Sequence, residues 1–151
     1  MRIEIDDLAR PEVVALVDLH LREAHANSPA CHVFALDLSG LQHPDVTLWT
    51  AWDGDDLLAM GALKQIDPGH GEIKSMRTAP AHIRKGIGAE MLAHLIAEGR
   101  AREYRRLSLE TGNNDPFAAA RAMYSRAGFA ECGPFADYDD VSFSRYFTLA
   151  L

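Results

Sequence analysis

"RTAPAHIRKGIGAEML", residues 77–92, decides how this chain is read. Arg84 and Lys85 run into Gly86-Ile87-Gly88, and Met91, Leu92, Leu95 and Ile96 then recur at helical spacing. A glycine turn opening a helix gathers unpaired backbone N–H groups at the positive end of the helix dipole, which suits an anion. Lacking Cβ atoms, Gly86 and Gly88 let a phosphate approach the backbone. Arg84 and Lys85 add charge-assisted contacts to its oxygens.

Three anions compete for this loop. A nucleotide-triphosphate loop needs Gly-Lys-Ser/Thr, which is absent. A dinucleotide turn needs a third glycine where Met91 stands, and it follows its strand at once, whereas seven residues separate Thr78 from Gly86. Glu110 lies 22 residues after Gly88, where a ribose-binding acid would fall. The strands before the loop are nonetheless joined as hairpins, against that fold. The third reading is carried by a resemblance to a known family.

Working outward, "RIEI" (2–5) reads as a first strand, and Pro11 opens a helix running to about His25. Residues 26–44, with two prolines and broken periodicity, read as a short helix plus a functional loop. Strands are expected at 46–52, 57–66 and 71–78, the first two joined by "DGDD". The helix from Gly86 ends near Arg102, and a strand follows at 105–111. The turn "GNNDP" then leads to a helix over 117–128 that Gly128 stops. "FAEC" and "FSRYFTLAL" are closing strands around the loop "GPFADYDDV". The order is mixed α/β: antiparallel strands first, then one βαβ crossover carrying the glycine loop.

The totals bound the function. A chain of 151 residues suits one domain over 1–151, and a net charge of −7 argues against a general nucleic-acid surface. Cys31 and Cys132 match no metal or redox spacing, so no metal is expected. No apolar run approaches the roughly 18 residues of a membrane span, and the N-terminus lacks a signal core, so the chain reads as cytoplasmic.

The loop, with Thr78-Ala79-Pro80 at the strand end and Ile83-Arg84-Lys85-Gly86-Ile87-Gly88 at the helix start, closely resembles the acyl-CoA loop of the GNAT (Gcn5-related) N-acetyltransferase superfamily. A second signature of that superfamily stands as Ala120, Tyr124, Gly128 and Phe129, and the element order matches over nearly the whole chain. "GEIKSMRT", "RLSLETG" and "CGPFADY" also look like a bacterial subgroup of small-molecule acetyltransferases. Two positions depart from the pattern: Ile83 replaces a polar residue, and Phe117 replaces an asparagine.

The resemblance implies a GNAT fold: a mixed, mostly antiparallel sheet of about seven strands, flanked by helices, with a βαβ acyl-CoA-binding unit. It implies acetyl-CoA as co-substrate and transfer of its acetyl group to a primary amine of a small molecule or peptide, by direct attack on the thioester. The backbone of Met76, Arg77 and Thr78 would hold the pantetheine arm. Arg84, Lys85, Gly86, Ile87, Gly88 and Ala89 would hold the pyrophosphate. Tyr124 would be the general acid for the departing thiolate. The base is left between Glu72, the first choice, and Glu110. His32, Asp37, Glu110 and Tyr138 are expected on the acceptor side, with the acidic run Asp137, Asp139 and Asp140 attracting a cationic amine. A non-catalytic acyl-CoA sensor of the same fold is the alternative. Oligomeric state is left open, although the apolar strand 143–151 offers an edge for a homodimer.

Overall fold

Strand β1 (Arg2–Ile5) ends at two aspartates, and Pro11, whose fixed φ suits a first helical turn, opens α1 (Pro11–Asn27). The computed structural model describes residues 1–29, 33–139 and 143–151. The short helix expected in 26–44 is α2 (Leu38–Leu41). Strands β2 (Val46–Asp53) and β3 (Asp56–Asp67) form the expected hairpin, with Gly54 at φ 58° in its turn. Then come β4 (His70–Thr78), α3 (Ile87–Ala101), β5 (Arg106–Gly112), α4 (Ala118–Arg126), β6 (Ala130–Cys132) and β7 (Ser144–Ala150). Two 3-10 turns, Pro80–His82 and Asp115–Phe117, precede α3 and α4, and the helix expected from residue 117 begins at Ala118.

The seven strands lie in one sheet in the order β1-β2-β3-β4-β5-β7-β6. Every neighbouring pair is antiparallel except β4 and β5, which the α3 crossover joins in parallel. Helices cover both faces. Met91, Leu92 and Leu95 of α3 and Tyr124 of α4 pack on Ile73, Leu107, Leu109 and Phe147. On the other face Val13, Leu16 and Val17 of α1 pack on Leu48, Trp52, Met60 and Ala62. The strand 143–151 is no free edge: β7 pairs with β5 on one side and with β6 along Tyr146–Thr148 on the other. The sheet edges are β1 and β6, so the premise for pairing through that strand falls.

One irregularity shapes the site. Met60 pairs with Arg77, but Ala62 pairs with Lys74, so β4 carries an extra residue opposite Gly61. Ser75 absorbs it at φ 56°. Gly61 is needed there, because a Cβ would come within 2.9 Å of Met76 Sδ and Met91 Cγ. The bulge reverses the alternation of side chains along β4. Glu72 and Lys74, which precede it, share the α1 face by ordinary alternation; past it Met76 joins the α3 core and Arg77 returns to α1.

Candidate active site

β4 and β5 separate where their parallel ladder runs out. Their last paired residues are Glu72 and Ser108, yet β4 continues to Thr78 and β5 to Gly112. Past that point the edge of β4 that faced β5 has no ladder partner on β5, leaving backbone donors and acceptors along a cleft. Met76, Arg77 and Thr78 lie on this free stretch. Their side chains are committed elsewhere: Met76 to the core, and Arg77 to α1. Arg77 Nε donates to His20 Nδ1 at 3.0 Å, and its guanidinium also binds Glu23. Burial, then the adjacent Arg77 charge, pulls His20 down to about 4, so it serves as a neutral acceptor.

At the end of β4 the chain enters the anion loop. Arg84 at φ 64° and Gly86 at φ 78° are both left-handed, and left-handed residues turn backbone N–H groups toward one side. The two glycines do different work. A Cβ on Gly86 would meet nothing within 4 Å, so glycine serves its backbone angle. A Cβ on Gly88 would press on Met123 Sδ at 3.3 Å and Thr78 Oγ1 at 3.4 Å, so that glycine serves close packing. Ile87 is buried and anchors the helix, while Arg84, Lys85, Gly86 and Ala89 are exposed. Lys85 Nζ lies 3.2 Å from His82 Nδ1, and His82 Nε2 lies 2.9 Å from Asp56 Oδ2, which ties the loop to β3.

Tyr124 sits beneath the cleft in the α3–α4 core, its ring edge-on to Phe129 at 5.9 Å. Burial, then the charge of Glu110, raises its proton affinity far above that of a free phenol. It stays protonated at neutral pH and has a proton to give.

The opposite face holds the carboxylates. Glu72 is buried and accepts from Tyr138 Oη at 2.5 Å and from Lys74 Nζ at 3.3 Å. Lys74 also donates to Tyr138 Oη at 3.0 Å, closing a three-membered cluster. Tyr138 is packed by Phe34 and Phe135, each with ring centroid at 5.1 Å, so its loop closes down over Glu72. Glu110 lies on β5, on the same face, paired across the ladder with Tyr146. Ser144 Oγ donates to its Oε1 at 3.3 Å. Burial pushes it up to about 7, with Lys74 and Ser144 opposing the rise and Glu72 adding to it.

The remaining acceptor-side expectations divide. Asp37 spends its carboxylate capping α2, accepting from Gly40 N at 2.8 Å and Ser39 Oγ at 3.0 Å. These bonds hold its pKa below the usual carboxylate range, and both fall on one oxygen, Oδ1. Asp137 and Asp139 point to solvent, and Asp139 contributes only its carbonyl, to Tyr146 Oη at 2.7 Å. His32 and Asp140 lie outside the described residues. The reading of residues missed Lys74 and Ser144. Lys74 had a signal, since Glu72 and Lys74 stand two apart on a strand and so face one way.

Residues 13–129 match the model of the acetyltransferase (GNAT) family. The uncharacterized N-acetyltransferase YsnE of Bacillus subtilis (strain 168) is 48% identical over 151 residues, covering all of both chains. Among solved structures, a Klebsiella pneumoniae chain assigned as an acyl-CoA N-acyltransferase superposes with TM-score 0.81 at 28% identity, over 99% of this chain and 97% of that one. A Bacillus subtilis acetyltransferase solved in complex with CoA gives 0.73 at 18% identity, over 99% and 98%. The chain belongs to the GNAT acetyltransferase family and is an acyltransferase that uses acetyl-CoA.

Proposed function

We propose, from the premise that this chain is a GNAT acetyltransferase, that it acetylates a primary amine of a small molecule or peptide, with Glu110 taking the amine's proton and Tyr124 supplying one to the thiolate. The observation that carries this reading is the position of Glu110, half-buried on β5 just past the last β4–β5 pair, where burial pushes its carboxyl up to about 7. Glu72, the first choice from the sequence, holds both Tyr138 and Lys74 through one oxygen, Oε2.

An alkyl ammonium has a pKa of about 10.4, so at neutral pH it must lose a proton before it attacks. A base poised near the working pH takes that proton most effectively. The amine nitrogen then bonds to the thioester carbonyl carbon while the free backbone N–H groups of β4 face the developing oxyanion. The C–S bond breaks, the leaving sulfur takes the Tyr124 proton, and the acylated nitrogen sheds its second proton to the resulting tyrosinate, leaving the neutral amide. The pyrophosphate rests on the backbone of residues 84–89, with Arg84 and Lys85 beside it.

Calorimetric titration with acetyl-CoA, with CoA and NADH run in parallel, tests the loop. Saturable binding of acetyl-CoA and CoA without NADH is the expected result. An amine panel assayed by thiol release then tests the chemistry. Tight binding of acetyl-CoA with no release from any amine would favour the non-catalytic sensor instead.

A further inference from the structure

Glu72 and Ser108 close the β4–β5 ladder, so the next residues on the same face of these parallel strands are Lys74 and Glu110. There the strands have parted, and the two side chains flank the mouth of the cleft. Lys74 is not free to wander: its side chain is 10% exposed and its ammonium bonds Glu72 and Tyr138. We propose that Lys74 is a positioning residue whose ammonium, clamped by Glu72 and Tyr138 on one lip of the cleft, sets the proton affinity of Glu110 on the other. Its catalytic meaning rests on Glu110 being the proton acceptor, but its test does not.

The groups around Glu110 make the sign of the effect definite. Glu72 and Lys74 approach from β4, Tyr124 from α4, Tyr146 from β7, and Tyr138 from the loop that covers the face. Lys74 is the one cation acting on it among the described residues. A buried carboxyl with no cation beside it would remain protonated well above neutrality and accept nothing from an amine. With a free lysine it would ionise too readily and make a weak base. The clamp gives an intermediate setting, because Glu72 takes up much of the Lys74 charge.

The probe is the Glu110 side-chain carboxyl itself, followed by 13C NMR pH titration of the intact apo protein labelled at glutamate, with Glu110→Gln assigning the signal. Lys74→Met should raise the Glu110 midpoint by about one pH unit, while Lys74→Arg leaves it nearly in place. Glu72→Gln should lower it, since a repelling charge is lost and the lysine charge is freed. General loosening cannot mimic this pattern: water entering the site would lower the midpoint in Lys74→Met, the opposite direction. An unchanged or lowered midpoint in Lys74→Met overturns the inference. If Lys74→Met fails to fold, Lys74→Gln is titrated in its place, and a midpoint that does not rise overturns it. Should these shifts appear while Glu110→Gln keeps full activity, the proton-acceptor reading fails and the coupling of Lys74 to Glu110 stands.

Discussion

The proposed anion loop and the proposed acceptor face lie at the two ends of β4, and they are built in opposite ways. The loop is one continuous stretch, 82–89, and what it offers is backbone: two left-handed residues, a glycine with open space around it, and the start of α3. The acceptor face is made of side chains from β4, β5, β7 and two distant segments, with Tyr138 reaching Glu72 across 66 residues of sequence. Backbone N–H groups bind phosphate whatever the side chains are. Side chains at a desolvated face set proton affinities and select acceptors, and single substitutions there change the chemistry. The comparison predicts that replacements on the acceptor face act on kcat and its pH profile, whereas those in the loop act on the KM for acetyl-CoA.

The largest effect should come from Glu110→Gln. Loss of a general base costs on the order of a thousandfold in kcat/KM, with acetyl-CoA affinity by calorimetry unchanged. The sign of the pH dependence follows from the raised value of Glu110, about 7. The working form is the carboxylate, so the rate should climb as pH rises through 7 and flatten above it. Glu110→Gln should abolish that rise. A rise surviving in Glu110→Gln would mean that another group takes the proton.

Tyr124→Phe comes next. The phenol is held protonated by burial, so its removal should lower kcat about a hundredfold while leaving the KM for acetyl-CoA alone. A matching loss of acetyl-CoA affinity would move Tyr124 from the chemistry to the cofactor site. Gly86→Ala tests the other region. A Cβ at φ 78° costs about 1–2 kcal/mol in strain, which should raise the KM for acetyl-CoA about tenfold with kcat preserved. If kcat fell instead, the separation of the two regions would break.

How much of this was legible follows the same division. The strands, the helices and the parallel β4–β5 crossover were readable from periodicity and turn residues, because those signals are local. The loop was readable for the same reason. Asp37 carried its signal too: an aspartate directly before "LSGL" is a helix cap, and it caps α2. What sequence could not supply was the register of β4 against β5. Only that register sets Lys74 opposite Glu110 and makes Glu72 the last paired residue. The bulge at Ser75 was equally hidden, since a strand alternates until its partner reveals the extra residue. Without the bulge, Met76 rather than Arg77 would have faced α1.

The smallest predicted effect is the sharpest test of the comparison. Arg84 combines two contributions that the reading of residues could not separate, a cation and a left-handed backbone at φ 64°. Arg84→Gly removes the charge but relieves the backbone, since glycine adopts that angle without a Cβ penalty. Lost phosphate contact should then be partly offset by a loop that holds its shape more readily. The KM for acetyl-CoA should rise only about threefold, with a weaker dependence on salt. Arg84→Ala loses the contact and keeps the strain, so its KM should rise further. If Arg84→Gly and Arg84→Ala weaken acetyl-CoA equally and far more than threefold, the pyrophosphate is gripped by the side chain, because relief of the backbone then counts for nothing. The loop and the acceptor face would then be built alike, and the division between backbone and side chain would not hold.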